Sequence, residues 1–332
     1  MLVYIIRRLM QAALVMVVMS ALVFAGIYLI GDPVAMMISP DASDIDREQV
    51  RAALGLDLPM WQQYLVFVGD AVRGNFGKSF LAGQSAMGLI FERFPATLEL
   101  AVASMILSLL VGLPMGVYAG LRPKSIGAKS IMTGSILGFS LPNFWVGLML
   151  IMVFAVLLPD LLPWWPRLPA SGRGQTVDVL GIKLSIFTWD GWRHLLLPAV
   201  TLALYKGALI VRLARATARE VLPMDYIKFA RAKGLSDRRI VGVHVLKNIM
   251  IPIATVSGLE FGQTVAFAVV TETVFSWPGV GKLLIDSILP LDRPVVVAYL
   301  VVIVVFFVLL NLAVDLLYSV LDPRVRLEGG AR

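Results

Sequence analysis

Six long apolar stretches constrain this 332-residue chain more than any other feature of its sequence. A helix needs roughly 20 apolar residues to cross the hydrocarbon core of a bilayer, which is about 30 Å thick. Hydrophobic residues make up 58% of the chain and charged residues only 15%, as expected where helices face lipid. The sequence therefore predicts an all-α integral membrane protein with six transmembrane helices, at about residues 9–30, 96–121, 131–157, 195–211, 249–275 and 295–317.

The first stretch follows Arg7 and Arg8, as the apolar region of a signal peptide would. It is too long for such a region, and Gly31-Asp32-Pro33 follows it in place of a small-residue cleavage site. We therefore expect an uncleaved membrane anchor.

The distribution of Lys and Arg predicts that both termini are cytoplasmic. With the N-terminus inside, the inner segments carry 17 Lys and Arg residues and the longer outer segments carry 11, and positive loops stay on the cytoplasmic side. Helical spacing predicts small outer helices at about 44–54 and 61–72, and an amphipathic piece at about 282–289. The expected domains are a cytoplasmic stub with the first helix (1–30), a periplasmic segment (31–94), a helical core (95–320) with a cytoplasmic loop at 212–248, and a cytoplasmic tail (321–332).

Glycine recurs at every fourth position in three of the apolar stretches. Small residues at this spacing share one helix face and let helix backbones approach closely within a membrane. The pattern predicts a compact helix bundle; the residues are Gly112, Gly116 and Gly120, then Gly134 and Gly138, then Gly258 and Gly262.

Several kinds of chemistry are absent from the sequence. The chain has no cysteine, and its two histidines lie fifty positions apart, so we expect neither a disulfide framework nor a metal site. No basic stripe interleaved with aromatics indicates nucleic-acid binding. The segment Gly74-Asn75-Phe76-Gly77-Lys78-Ser79 is not a phosphate loop, because Val72 stands where the first glycine is required. We expect no catalytic residue and no cofactor in this chain.

The loop between the fourth and fifth stretches contains a short, sharply bounded helix. Asp225 is a suitable N-cap, and Gly234 can take the left-handed conformation that ends a helix. About two helical turns with small residues, Ala230 and Ala232, lie between them. Such a helix fits a groove on a cytoplasmic partner, but the spacing alone favours an ordinary solvated loop helix whose positive charge reflects its cytoplasmic side.

Three polar residues lie inside predicted spans: Lys206 in the fourth, and Glu260 and Gln263 in the fifth. A charge at the bilayer centre costs about 2.5–3.5 kcal/mol on insertion scales, so such a residue usually faces a partner or an aqueous path. These residues are candidates for lining a transport pathway, with Lys206 and Glu260 pairing across it. The alternatives are contact with a partner subunit, or a Lys206 that reaches the interface. Asn311 and Asp315 are expected to hold helix packing.

Motifs that match one known family run through nearly the whole chain. Asp225-Tyr226 with Ala230-Arg231-Ala232-Lys233-Gly234 resembles the EAA loop of binding-protein-dependent ABC importer permeases. The chain as a whole looks like the first of the two permease subunits of dipeptide/oligopeptide-type importers. The other matching pieces are Tyr4, Arg7-Arg8-Leu9, Gly31-Asp32-Pro33-Val34, Leu54-Gly55-Leu56-Asp57 with Pro59, Phe76-Gly77-Lys78-Ser79, Pro95-Ala96-Thr97-Leu98-Glu99-Leu100, Ser140-Leu141-Pro142 with Phe144, His194, Leu197-Pro198-Ala199, Glu272, Val274-Phe275, Pro278-Gly279-Val280-Gly281, Asn311, Asp315, Tyr318 and Asp322-Pro323-Arg324.

The chain departs from the family pattern at several positions. In the loop, Lys228 replaces the usual Glu, His244 an Ile and Lys247 a Pro. Outside the loop, Asn75 replaces an Asp, and Leu291-Asp292-Arg293-Pro294 replaces Arg-Asp-Tyr-Pro. These differences leave the expected fold unchanged and weaken residue-level comparison at those positions.

The resemblance implies the type I ABC importer permease fold in the bacterial inner membrane. It further implies that the chain forms half of a pathway for a dipeptide or oligopeptide delivered by a periplasmic binding protein. The partners would be a second homologous permease, two cytoplasmic ATPase subunits that bind ATP and Mg, and the lipid bilayer. Contact with the ATPases would fall on Asp225, Tyr226, Ala230, Arg231, Ala232, Lys233, Gly234 and Leu235.

Two alternatives stay open beside this reading. The same architecture could import a nickel chelate, glutathione or another small solute. An ion-coupled secondary transporter would use Lys206 and Glu260 as a relay, although the chain shows no internal repeat of the kind such folds often carry.

Overall fold

A computed structural model describes residues 2–29, 44–53 and 56–321, and these are mostly helical. In chain order the helices are α1 (Leu2–Leu29), α2 (Asp44–Ala53), α3 (Met60–Val72), α4 (Ala86–Leu121), α5 (Ile126–Ser140), α6 (Asn143–Ile151), α7 (Leu158–Leu161), α8 (Trp189–Val221), α9 (Asp225–Ala232), α10 (Asp237–Arg239), α11 (Leu246–Phe267), α12 (Val269–Val274), α13 (Val280–Ile288) and α14 (Arg293–Leu321). Two π-helical turns, π1 (Met152–Leu157) and π2 (Ile240–Val245), join α6 to α7 and α10 to α11. Strands β1 (Val177–Val179) and β2 (Ile182–Leu184) form an antiparallel hairpin with Val177 opposite Leu184.

The predicted number of six spans is confirmed. By length and composition, six helical segments of the described residues can cross a membrane. The small helices predicted at about 44–54 and 61–72 and the amphipathic piece also form, as α2, α3 and α13. The six candidate spans are Ile6–Gly26, Ala86–Leu121, Asn143–Leu161, Trp189–Val221, Asp237–Phe267 and Arg293–Val314.

The predicted third span, residues 131–157 as one helix, is wrong. The helix stops at Ser140, Leu141 is extended (φ −85°, ψ 135°), and a second helix begins at Asn143. The residue before a proline disfavours the helical region, and Pro142 follows Leu141. The fifth stretch also divides, because α11 ends at Phe267 and α12 begins at Val269. The fourth is longer than predicted and covers Trp189–Val221.

The chain forms two compact units. The first comprises Met1–Phe94 with Leu283–Leu309, and the second comprises Pro95–Lys282 with Leu310–Arg332. The motifs Gly31-Asp32-Pro33-Val34, Leu54-Gly55 and Asp322-Pro323-Arg324, together with the side chain of Asp315 and the predicted tail beyond residue 321, lie outside the described residues.

In the first unit, aromatic and polar contacts hold α3 against α1. The rings of Phe24 and Tyr64 meet edge to face with centroids 5.4 Å apart, and the Tyr64 hydroxyl is 2.8 Å from that of Ser20. Near the start of α14, the carboxylate of Asp292 accepts hydrogen bonds from the Ser79 hydroxyl and, at 3.1 Å, from the Phe80 backbone nitrogen. The turn after α3 is thus tied to α14 by a buried acid.

In the second unit, the glycine face of α4 packs directly on α8. A Cβ on Gly116 would lie 2.5 Å from the Val211 carbonyl oxygen, and one on Gly120 would lie 2.6 Å from the Ala218 Cβ. The predicted close approach is confirmed for this face. In α5 the pattern holds at one glycine only: a Cβ on Gly138 would lie 3.6 Å from the Leu204 carbonyl oxygen of α8, whereas Gly134 has no atom within 4 Å of the position a Cβ would take.

A buried ion pair in the second unit fixes the hairpin segment to α4. Arg173 donates to Glu99 Oε2 from Nε (2.9 Å) and Nη2 (2.7 Å). The Ser185 backbone nitrogen donates to Glu99 Oε1 at 2.6 Å, and its hydroxyl donates to Oε2 at 2.9 Å. The side chains of Glu99 and Arg173 are only 3% and 9% exposed, so the charges satisfy each other without solvent.

A second buried acid, Glu272, holds the turn before α13. It is fully buried, accepts a hydrogen bond from the Thr97 hydroxyl at 2.6 Å, and accepts another from the Lys282 backbone nitrogen at 2.9 Å. The Trp277 indole donates to the Ala96 carbonyl at 2.8 Å. These contacts join the part of α4 around Ala96 and Thr97 to the Pro278-Gly279 turn, and they hold the two segments rigidly together.

Candidate functional site

The short helix α9 begins differently from the prediction. Met224 occupies the N-cap position with an extended backbone (φ −65°, ψ 147°) and no side-chain cap, so the predicted N-cap role of Asp225 is wrong. Asp225 is the first helical residue, and its carboxylate accepts a hydrogen bond from Lys228 Nζ at 2.8 Å. Its negative charge still lies in the first turn, where it interacts favourably with the helix dipole.

The end of α9 matches the prediction. Gly234 has φ +75°, in the left-handed region that side chains with a Cβ disfavour. Its backbone nitrogen donates to the Arg231 carbonyl at 2.9 Å, and that of Leu235 donates to the Ala230 carbonyl at 3.3 Å. This is the Schellman arrangement, which satisfies the last carbonyls and turns the chain sharply.

One face of α9 is anchored in the core of the second unit. Ile227 is completely buried and Ala230 nearly so, and their spacing places them on the same side of the helix. They belong to a hydrophobic cluster that also contains the end of α8 and the start of the following helical run; its members there are Val221, Ile240, Val245, Ile249 and Ile253. Any force on α9 is therefore applied directly to the ends of two candidate spans.

The opposite face of α9 is exposed and apolar. Phe229 is 62% exposed, and both Met224 and Tyr226 are also exposed. Lys233 Nζ lies 4.5 Å from the centroid of the Phe229 ring. Partial burial raises the pKa of the Tyr226 phenol above its ordinary value. An aromatic patch bordered by positive charge suits a partner surface better than bulk water.

The predicted contact residues divide between the two faces. Ala230 and Leu235 pack against the protein's own core. The other predicted residues are exposed, namely Asp225, Tyr226, Arg231, Ala232, Lys233 and Gly234. Sequence reasoning missed Ile227, the main anchor, and Phe229, the most exposed aromatic of the loop. The three-residue spacing of Ile227 and Ala230 was the available signal for the anchored face.

Short connections join α9 to the spans on either side. Three residues separate it from α8, which ends at Val221, and four separate it from α10, which begins at Asp237. From Asp237 the chain is helical through π2 to Phe267. With so little chain on each side, α9 cannot move far without moving α8 or α11.

The predicted intramembrane polar residues lie close together. Lys206 on α8 donates to Glu260 on α11 in a direct ion pair, with side chains 10% and 18% exposed. Gln263, one turn along α11, is exposed. Asn311 is half-buried, and its side-chain oxygen has no hydrogen-bond partner among the described residues. No group of three His, Cys, Asp or Glu side chains in the described part of the chain could hold a metal ion.

Comparison with known families gives two matches that together span most of the chain. Residues 112–327 match the model of the binding-protein-dependent transport system inner membrane component. Residues 1–101 match the model of the N-terminal part of such a membrane component. The second match covers the part of the chain that precedes the glycine face of α4.

Two characterised relatives match nearly the full chain. The dipeptide transport system permease protein DppB of Escherichia coli K12 is 39% identical over an alignment of 343 positions. The alignment covers 98% of this chain and 99% of the relative. The di/tripeptide transport system permease protein DppB of Pseudomonas aeruginosa UCBPP-PA14 is 42% identical over 319 residues, 92% of this chain and 94% of the relative.

A solved structure shares the fold. The MetNI methionine ABC transporter in an inward-facing conformation superposes with a TM-score of 0.53 at 16% identity, covering 71% of this chain and 97% of that chain. At this identity the likeness concerns architecture alone. It confirms the predicted type I ABC permease fold.

Proposed function

This chain belongs to the binding-protein-dependent transport system inner membrane component family, and from that premise we propose that it forms half of the pathway of an ATP-driven peptide importer. It is a multi-pass membrane component of the bacterial inner membrane and not the ATPase of the system. Membership of the family implies a second permease, ATPase subunits and a binding protein. In the proposed assembly these are one homologous permease, two cytoplasmic ATPases carrying ATP and Mg, and a periplasmic protein that delivers substrate.

Full-length similarity to permeases for dipeptides and di- or tripeptides supports a peptide-like substrate. Glutathione, a nickel chelate or another small solute is the alternative cargo of the same architecture. Uptake assays with the importer and its own binding protein distinguish these substrates, because the binding protein presents only the solute that it holds.

The observation that carries the proposed mechanism is the two-faced helix α9. Ile227 and Ala230 fix it in the core, while Tyr226 and Phe229 point their apolar surface away from the protein. We place this face in the cytoplasm, where nine of the chain's Lys and Arg residues lie between Arg212 and Lys247. There it docks in a groove of an ATPase subunit.

ATP drives transport in this scheme by shifting a conformational equilibrium. The ATPase dimer binds ATP more tightly in its closed state, and this difference is what favours the outward-open arrangement of the spans. Closure displaces α9, and the anchoring by Ile227 transmits the displacement to α8 and α11. Hydrolysis of ATP and release of its products return the spans to the inward-open state.

An ion-coupled secondary transporter is the rival of a different class. It would use Lys206 and Glu260 as a relay and would have no use for the exposed face of α9. Purification of the chain with stoichiometric ATPase subunits supports the importer, whereas solute transport by the purified chain alone would establish the rival.

The substitution Gly234→Leu tests the docking role. A Leu at φ +75° costs roughly 1–2 kcal/mol in backbone strain, which the turn relieves by shifting. We expect normal insertion and assembly but loss of most substrate-stimulated ATPase activity. The matched control is Gly242→Leu, since Gly242 lies in the same loop, is exposed, and also has nothing within 4 Å of a Cβ. Wild-type stimulation in Gly234→Leu would refute the docking role of α9.

A further inference from the structure

The ion pair between Lys206 and Glu260 is not explained by stability. Both residues lie within candidate spans, α8 and α11, and their side chains are largely withdrawn from solvent. The desolvation of two buried charges roughly cancels their attraction, and apolar residues of similar size are often at least as stabilising. A charge pair within two candidate spans is therefore better explained by an interaction with the transported solute.

One polar side chain beside the pair, Gln263, is exposed. Glu260 and Gln263 lie one turn apart on α11, and Gln263 is exposed. A Gln side chain is unfavourable against lipid tails, so Gln263 adjoins either water or another polar protein surface, while Leu259 and Phe267, one turn to either side, are exposed and apolar. Within the second unit, the side chains of Lys206 and Glu260 are 10% and 18% exposed, so only a small part of the pair reaches the surface.

An aromatic platform adjoins the pair. Lys206 Nζ is 5.3 Å from the centroid of the Tyr205 ring, and that ring stacks on Phe139 with centroids 4.8 Å apart and planes 18° apart. Phe139 is exposed, and Arg212 Cζ lies 4.2 Å from its ring centroid. The platform offers an aromatic surface beside Lys206 Nζ.

A short peptide with free ends matches these groups in charge. It carries one ammonium and one carboxylate, and the ends of an extended dipeptide are at most about 7 Å apart. Lys and Glu side chains are long enough to separate and accept such a ligand between them. Each charge then exchanges one ionic partner for another, so that neither is left buried without compensation.

We propose that Lys206 and Glu260 form a transient subsite for a zwitterionic peptide. The peptide carboxylate pairs with Lys206 Nζ, its ammonium pairs with the Glu260 carboxylate, and its side chains lie against Tyr205 and Phe139. In the absence of a peptide the two residues neutralise each other. This inference rests on the proposed function and adds the recognition of free peptide ends to it.

Peptide binding to the importer without its binding protein tests the subsite. The complex of both permeases and both ATPases is reconstituted in nanodiscs, and binding of tritiated alanyl-alanine is measured at equilibrium. We expect saturable binding to the wild type, a loss of affinity of about tenfold or more in Lys206→Met and in Glu260→Gln, and retention of binding in Lys206→Arg. Removal of the binding protein excludes its own preference for free ends.

Blocked peptides assign each end to its residue. N-acetyl-alanyl-alanine lacks the ammonium, so Glu260→Gln should not weaken its binding further. Alanyl-alanine amide lacks the carboxylate, so Lys206→Met should not weaken its binding further. Free alanine, which carries both charges without the second residue, shows whether the peptide length matters.

A double variant guards against misfolding. Lys206→Met leaves Glu260 without a partner and can disturb assembly, whereas Lys206→Met combined with Glu260→Met leaves no unpaired charge. This double variant should assemble and bind no alanyl-alanine. Wild-type affinity in the double variant, binding of both blocked peptides as tight as that of alanyl-alanine, or the absence of saturable binding to the wild type would each overturn the subsite.

Uptake by the same complex separates this failure from failure of the proposed function. If proteoliposomes with binding protein and ATP import alanyl-alanine while the complex alone binds none, the subsite is wrong and the importer function stands. If the wild type shows neither uptake nor stimulated ATPase activity with any peptide, the peptide-importer function itself is wrong.

Discussion

The substitution Glu99→Ala should destabilise the protein strongly. It removes the acceptor of two Arg173 hydrogen bonds and of two more from Ser185, and it leaves the guanidinium in a site where that side chain is only 9% exposed. Removal of one partner from a buried ion pair costs about 3–5 kcal/mol. At roughly 2 °C per kcal/mol for a chain of this size, the midpoint of thermal unfolding should fall by about 6–10 °C.

The ion pair between Asp160 and Arg167 provides a matched control. Its Nη2 and Oδ1 atoms lie at a similar distance, 2.8 Å, but the side chains of Asp160 and Arg167 are 61% and 68% exposed. Asp160→Ala should therefore change stability by less than about 1 kcal/mol, which corresponds to a shift of about 2 °C or less. Glu99→Leu combined with Arg173→Met removes both charges and should recover part of the loss.

Size-exclusion chromatography of the full-length, fluorescently tagged protein after heating in mild detergent measures these midpoints. We expect a large fall for Glu99→Ala, a partial recovery in the double variant, and almost no change for Asp160→Ala. A shift in Glu99→Ala as small as that in Asp160→Ala would refute the structural role of the buried pair.

Two further predictions concern packing and coupling. Gly116→Val places a Cβ 2.5 Å from the Val211 carbonyl oxygen and should destabilise the protein by about 1–3 kcal/mol in the same heating assay. Gly134→Val meets nothing within 4 Å, so equal midpoints for the two variants would contradict the packing of α4 on α8. Phe229→Ala should leave the midpoint unchanged, because the side chain is 62% exposed, and should lower substrate-stimulated ATPase activity at least threefold. Ile126→Ala, at an exposed apolar residue outside the loop, is its control, and equal activities would remove Phe229 from the docking surface.

The helices were predictable from the sequence where hydrophobicity alone decides them. Apolar runs locate all six spans, but they conceal the break at Leu141 and Pro142, because both sides of it are apolar. The extended preference of a residue before proline was the available signal. Hydropathy underestimates the length of the fourth helix. The ends of this helix carry residues that lower hydropathy without interrupting the helix, namely Trp189, Arg193, Arg212 and Arg219.

The contacts between distant residues could not be predicted. Glu99 and Arg173 are 74 positions apart, and Lys206 and Glu260 are 54 apart. Their meeting depends on how the helices are rotated and shifted against one another, which close packing sets, as at Gly116 on α8. In α9, by contrast, the local signals were sufficient to place the turn at Gly234, though not to identify Met224 as the N-cap residue.

Site-specific chemical labelling shows on which side of the membrane α9 lies and whether the ATPases cover it. Because the chain has no native cysteine, Phe229→Cys introduces its single thiol, and Leu180→Cys places another single thiol at the exposed hairpin tip, in the segment predicted to lie outside. We predict that a membrane-impermeant maleimide labels Phe229→Cys only in inside-out vesicles stripped of the ATPases, that ATPase rebinding blocks this labelling, and that Leu180→Cys is labelled only in intact spheroplasts. Labelling of Phe229→Cys from the outer side, or labelling that the ATPases do not block, would contradict the coupling role of α9.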